Sequence, residues 1–443
     1  MTVYWCELAW LGGPTAEAGV VVEVEDGRIA TVTGGTLRPP PGARRLEGLT
    51  LPGLANAHSH AFQRALRGRT QHGSGSFWTW REQMYRVADG LDPESYLALA
   101  RATYAEMALA GVTAVGEFHY LHHGAGGVPY GDPNEMSRAL IAAAAEAGVR
   151  ITLIDACYLH GGIGEPPAGP QRRFSDGSAE AWAERVEALR DEESVRIGAA
   201  IHSVRAVDPG AAAIVAGWAL ESDRPLHAHV SEQPAENHAC LEAYGRTPTA
   251  LLAEADAISA RFTAVHATHL DDGDVTLLGG GGACCCVCPT TERDLADGIG
   301  QMRRLAEAGA SLSLGSDSHA VIDLFEEARA VELDERLASG ERGHNTAAAL
   351  LRAASEDGHA CLGWPDAGRI ASEARADLVT VSLAGVRLAG TEPENAVQAV
   401  VFAAGAPDVR HVLVDGREIV RDGRHGTIDV ARELHEAILR AAA

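Results

Sequence analysis

The stretch Leu51 to Gln63, LPGLANAHSHAFQ, runs apolar into a Gly and then presents His58 and His60 two residues apart. On a β-strand that spacing puts both imidazoles on one face, because side chains alternate with period two. Two neutral imidazoles aimed at one point make half of a divalent metal site. An isolated pair of this kind is equally an ordinary set of polar residues at a strand end, so the rest of the chain has to decide.

Downstream, apolar strand-like runs alternate with Ala-, Leu- and Glu-rich helical runs, the pattern of a parallel α/β fold. Eight strand candidates can be read: around Leu51 to Asn56, GVTAVGEF from Gly111, RITLIDACY from Arg150, RIGAAIHSV from Arg196, PLHAHVSE from Pro225, FTAVHATH from Phe262, GACCCVCP from Gly282 and SLSLGSDSH from Ser311. Helical runs such as SYLALARATYAEMALAG, EMSRALIAAAAEAG and IGQMRRLAEAG separate them, each closed by a Gly where a C-cap belongs. Eight such units predict a (β/α)8 TIM-type barrel, with an open doubly wound sheet as the competing architecture; no glycine fingerprint follows the first strand. Residues 1 to about 50 read instead as short strands with an Asp-Gly turn at Asp26 and Gly27. ADLVTVSL from Ala376, AVQAVVFAAG and VRHVLVDGREIV read the same way. The expected organisation is therefore a small β-sandwich domain built from both termini, residues 1–50 and 371–443 with a terminal helix, around a catalytic barrel at 51–370.

Composition narrows the chemistry. Formal net charge over the 443 residues is −24, which opposes binding to nucleic acid or to anionic membrane surfaces. No apolar run reaches membrane-span length and the first residues lack the basic region of a secretory signal, so a cytoplasmic location is expected. All 37 cationic side chains are Arg and none is Lys. That removes Schiff-base, phosphate-loop and carboxylated-lysine chemistry, so a metal centre is expected to be mononuclear unless a carboxylate bridges. Cys284, Cys285, Cys286 and Cys288 are too crowded to pair among themselves and lack the second spaced pair of a zinc ribbon; they read as a buried strand using Cys as a small apolar residue in a reduced compartment.

Barrel logic puts chemistry at the strands' carboxyl ends. His58 and His60 end the first strand, Glu117 and His119 the second, His202 and Arg205 the fourth, His229 and Glu232 the fifth, His266 the sixth, Asp317 and His319 the eighth. HSH, HAHVSE, VHATHL and LGSDSH, in that order, resemble the amidohydrolase superfamily in its mononuclear deaminase branch, over essentially the whole chain. The resemblance implies His58, His60, His229 and Asp317 as ligands of one divalent ion, zinc in most members, with iron or manganese also suited to such donors. It implies that Glu232 moves a proton from water to the departing nitrogen, and that His266 and Asp317 orient the reacting water.

HSHAFQR, FWTWRE, EFHYLHH, HSVRAV, HVSEQ and CPTTERDL are similar, more narrowly, to the N-formimino-L-glutamate deiminases of histidine breakdown. By that resemblance Gln63, Arg81, Tyr120, His202 and Arg205 bind substrate, and the product is N-formyl-L-glutamate with ammonia. A dicarboxylate docking on Arg and His cations makes physical sense in an otherwise acidic protein. The expected partners are this small substrate and a second copy of the chain as a homodimer, with no nucleic acid and no membrane. His227 reads as packing beneath His229, and His122, His123, His160 and His269 as loop residues with solvated or lid roles. Glu117 and His119 stay open between supporting the ligands and touching substrate; Phe77, Trp78 and Trp80 between a lid, a subunit contact and core. The Gly-rich loops 124–127 and 161–169 read as covers. The competing functions are a guanine- or adenosyl-type deaminase or chlorohydrolase of the same branch, and a non-catalytic metal-binding scaffold.

Overall fold

The computed structural model describes residues 1–71 and 77–441. The described residues form two eight-stranded sheets. In chain order, β1 (Thr2–Ala9), β2 (Glu17–Glu25), β3 (Arg28–Thr33) and β4 (Arg44–Pro52) come from the N-terminal region. The barrel strands follow: β5 (Leu54–Ser59), β6 (Val112–His119), β7 (Arg150–Cys157), β8 (Val195–Ile201), β9 (Leu226–Val230), β10 (Phe262–His266), β11 (Cys284–Val287) and β12 (Ser311–Leu314). β13 (Leu378–Val381), β14 (Val409–Val414), β15 (Arg417–Arg421) and β16 (Arg424–His425) complete the set.

The second sheet runs β5 through β12 in sequence order with every ladder parallel, and a parallel bridge between Ser59 and Asp317 links its two ends. This is the (β/α)8 barrel. Its strands are buried on both faces because helices cover the outside, which is why they read as largely apolar runs and not as strict apolar–polar alternation. The closing bridge is made by the predicted ligand segments themselves: His60 N–H donates to the Asp317 carbonyl at 3.2 Å and Asp317 N–H to the His58 carbonyl at 3.0 Å.

The first sheet has the order β16-β15-β14-β13-β4-β1-β2-β3, so the two terminal regions meet where β4 pairs antiparallel with β13. It curls on itself, with Ile29 N–H donating to the Ala374 carbonyl at 2.9 Å, and encloses a separate core that includes Tyr4, Val22, Leu46, Ala376 and Leu413. The opening stretch is shared between the sheets: Leu51 and Pro52 belong to β4, and the chain enters the barrel at Gly53. A Cβ there would lie 2.3 Å from Thr113 Oγ1 and 2.7 Å from Asp377 Cβ, so no side chain fits.

At this junction Arg150, fully buried at the start of β7, reaches Asp377 through both terminal nitrogens and Asp415 at 3.1 Å. One segment departs from expectation. AVQAVVFAAG is not a strand; Ala396–Ala403 is a helix whose Val397, Val400 and Val401 bury one face. The three- and four-residue spacing of those valines is the helical period, which a short apolar run conceals.

Candidate active site

Four predicted ligands arrive together. His58 lies at the end of β5 and His60 just past it, His229 sits near the end of β9, and Asp317 follows β12; all are buried and their donor atoms lie within 4.8 Å of one another. Asp317 Oδ1 is 3.3 Å from His58 Nε2 and 3.4 Å from His60 Nε2, while His229 Nε2 is 3.2 Å from His58 Nε2. Ligands on bonds of about 2.0–2.1 Å in a tetrahedron stand about 3.3–3.4 Å apart, so this spacing is the one a small divalent ion requires. The other ring nitrogens agree: Nδ1 of His60 pairs with the Phe118 carbonyl at 2.8 Å and Nδ1 of His229 with the His202 carbonyl at 2.9 Å, which puts the proton on Nδ1 and the lone pair on Nε2. Burial pushes His58 down to about 3 and depresses His60 and His229 as well. For Asp317, burial works upward but the bond with His58 and the neighbouring imidazoles outweigh it and hold the carboxyl well below its usual range. Neutral imidazoles and an ionised carboxylate are the forms that ligate, and the residues fit a metal ion.

The remaining predicted chemistry surrounds that cluster. His266 Nε2 is 3.9 Å from Asp317 Oδ2 and 3.9 Å from Glu232 Oε1, and has no hydrogen-bond partner of its own. Burial disfavours the charged His266 ring, yet its bond to Glu292 and the Glu232 and Asp317 carboxylates push it up to about 10. His266 and Asp317 both take left-handed backbone conformations, at φ +67° and +42°, and Ser231 beside Glu232 does the same at +50°. Such conformations at strand ends are held by their surroundings and collect at functional sites.

Above the cluster is a cavity of about 260 Å³, at the small end for ligand sites. Gln63, Arg81, Tyr120, His202 and Arg205 all line it, with His60, His229, Glu232, His266 and Asp317 at its floor. Arg81 lies on the helix Phe77–Gly90, its guanidinium carbon 4.4 Å from the Trp78 ring centroid and 5.6 Å from that of Tyr85. Arg205 donates to Glu232 Oε2 at 3.1 Å and lies 3.7 Å from Glu236 Oε1. Gln63 donates to the Tyr120 hydroxyl at 3.0 Å, leaving its own Oε1 unpartnered. His202 is not a cation: burial and the nearby Arg205 charge hold its ring well below the ordinary range, so it faces the cavity neutral. Phe77, Trp78 and Trp80 line the same space, as do Gly161 and Gly162; loop 124–127 does not.

Several histidines fall elsewhere than expected. His122 and His123 are buried: His122 Nε2 meets the Ala156 carbonyl at 2.9 Å, and His123 Nε2 lies 3.0 Å from Asp176. Glu117 and His119 are also buried and do not line the cavity; Phe118 between them does the inward work, its ring 4.4 Å from that of His229. Glu117 instead accepts from Ser59 Oγ and Ala61 N–H, both at 2.7 Å, bracing the HSH turn, and burial pushes its carboxyl up to about 8. His227 packs below, facing the Cys361 carbonyl at 3.4 Å. The clustered cysteines are free and buried, Cys284, Cys285 and Cys286 in β11 as in a strand of small apolar residues and Cys288 just past it. Sequence reasoning gave no role to Glu292, which touches His266 Nδ1 at 3.3 Å; its place one helical turn after a barrel strand end was the available signal.

A parallel barrel with three imidazoles, an aspartate and a glutamate at its carboxyl end defines a metal-dependent hydrolase. The chain belongs to the amidohydrolase family, which matches residues 49–419. Among curated relatives it is 40% identical over 398 residues to the formimidoylglutamate deiminase of Pseudomonas aeruginosa, covering 87% of each chain. It is 29% identical over 431 residues to a 5-methylthioadenosine/S-adenosylhomocysteine deaminase of Natronomonas pharaonis, covering 96% of this chain and 93% of that one. Among solved structures, an amidohydrolase from Brucella melitensis superposes with a TM-score of 0.92 at 33% identity, covering both chains fully.

Proposed function

We propose that this protein is a formimidoylglutamate deiminase, which hydrolyses N-formimino-L-glutamate to N-formyl-L-glutamate and ammonia. The observation that carries the reading is the pair Arg81 and Arg205 lining one small cavity together with His60, His229 and Asp317 of the four-residue cluster that His58 completes. In this reading those four residues hold one divalent ion, zinc first by the chemistry of three imidazoles and a carboxylate, with iron or manganese also compatible. When bound, such an ion supplies Lewis acidity, which makes water nucleophilic near neutral pH.

The chain's own residues do the rest. Arg81 and Arg205 take the substrate carboxylates as planar two-pronged donors, and neutral His202 and Tyr120 add hydrogen bonds. The unpartnered Gln63 Oε1 is an acceptor for the N–H of the formimino group. Arg205 holds Glu232 by Oε2, leaving Oε1 beside His266 to take a proton from water and pass it to the leaving nitrogen. His266 Nε2 orients the reacting oxygen. Water adds to the formimino carbon, the C–N bond to the terminal nitrogen breaks, and ammonia leaves.

The aromatic cavity wall, with Trp78, Tyr85 and Tyr158, supports a second reading as an adenosyl-type deaminase. A coupled ammonia assay on N-formimino-L-glutamate, guanine and 5-methylthioadenosine separates the two. Turnover confined to the dicarboxylate is expected; turnover of a purine alone would overturn the first reading. The same proposal takes the protein as a homodimer in the cytoplasm, which light scattering and fractionation test. Among the described residues no helix is long and apolar enough to cross a membrane.

A further inference from the structure

The CPTTERDL run has no role in the reaction as drawn above, yet it reaches the reacting centre. After β11 the chain turns at Cys288 into the helix Pro289–Leu295, which carries Glu292 buried in its first turn. Glu292 Oε1 accepts the Cys288 N–H at 2.9 Å, so the carboxylate is fixed by its own helix before it meets anything else. The same oxygen lies 3.3 Å from His266 Nδ1. His266 has a strained backbone at φ +67°, and its other ring nitrogen has no hydrogen-bond partner. Glu292 is thus the single hydrogen-bonding anchor of that ring among the described residues.

We infer that Glu292 is a positioning residue for the deimination proposed above, tying Nδ1–H of His266 so that Nε2 stays aimed between Glu232 and Asp317; the inference rests on that function. The metal-ligand histidines His60 and His229 are oriented by backbone carbonyls, from Phe118 and His202. His266 alone of the three is given a carboxylate. An imidazole tied at Nδ1 has one ring orientation available, and an untied one turns about its Cβ–Cγ bond. Because both bonds to Glu292 fall on Oε1, a glutamine amide oxygen can accept both.

The experiment compares Glu292→Leu and Glu292→Gln with wild type in the metal-loaded full chain, each also in a His266→Ala background. Steady-state ammonia release, bound metal per chain and Tm are measured. Expected for Glu292→Leu is a fall in kcat of about 10- to 100-fold with KM and bound metal unchanged, and no further fall when His266 is already Ala. Glu292→Gln retains most of kcat. A loss in Glu292→Leu that persists in the His266→Ala background overturns the inference, as does a loss confined to Tm and metal content. Nitrogen-15 spectra of histidine-labelled, zinc-loaded protein supply a readout that needs no turnover. The Nδ1–H signal that disappears in His266→Ala should keep its hydrogen-bonded shift in Glu292→Gln and lose that shift in Glu292→Leu. If wild type releases no ammonia from N-formimino-L-glutamate, the proposed function fails, and this spectrum still decides Glu292; an unchanged signal in Glu292→Leu refutes it.

Discussion

Arg81→Met separates a carboxylate anchor from a surface arginine more cleanly than any other single change. The guanidinium lies over Trp78 and Tyr85 on the cavity wall and forms no ion pair among the described residues, so its charge is uncommitted in the absence of substrate. Methionine keeps an apolar stem against those rings and removes only the charged fork. A hydrogen bond to a charged partner contributes about 1.5–3 kcal/mol, which corresponds to about 10- to 150-fold in kcat/KM. The contact exists equally before and during the chemical step, so the loss should appear in KM with kcat nearly constant. Arg81→Lys, a point charge without the fork, should fall between the two. The assay is initial-rate ammonia release on N-formimino-L-glutamate and on its α-amide and γ-amide analogues. Wild type should discriminate against one amide by about the factor that Arg81→Met loses, and the variant should no longer discriminate there. A variant within twofold of wild type on the dicarboxylate would show that Arg81 does not anchor it.

Arg205→Met should behave differently, because Arg205 also holds Glu232 at 3.1 Å: kcat should fall along with a rise in KM, read from the same steady-state data. Glu232→Gln should lower kcat by about 10²- to 10⁴-fold with metal content unchanged by elemental analysis, as expected for loss of a proton carrier. Stripping metal with a chelator should abolish turnover and lower Tm, since an ion present at a thousandfold its Kd stabilises by about 4 kcal/mol; the thermal shift should vanish in His229→Ala. Asp377→Ala breaks the buried pair with Arg150 at the barrel end opposite the cavity, and should cost about 3–5 kcal/mol in chemical denaturation while kcat per folded chain holds.

The barrel was legible because its strands are short, largely apolar runs separated by helical ones, and because HSH, HAH and the SDS aspartate stand at or just past strand ends. Less legible was which face of a strand points inward. In GEFHY the polar Glu117 and His119 look like site residues, yet Phe118 faces His229 and the polar pair lies under the outer helices. In a barrel both faces are buried, so polarity does not mark the interior. His122 and His123 looked solvated because they leave a strand end. Their cover comes from residues about fifty positions away: Arg173, fully buried, accepts both their N–H groups on its carbonyl and donates to the His123 carbonyl at 2.8 Å. AVQAVVFAAG shows a third limit, since an eight-residue apolar run serves a buried helix as well as a strand.

The most direct test is a crystal structure of the zinc-loaded protein with N-formyl-L-glutamate, phased for metal by anomalous scattering. One strong peak is predicted, bonded to Nε2 of His58, His60 and His229 and to Asp317, with the product carboxylates on Arg81 and Arg205. A peak outside that cluster, or a product turned with its carboxylates away from both guanidinium groups, would contradict the account.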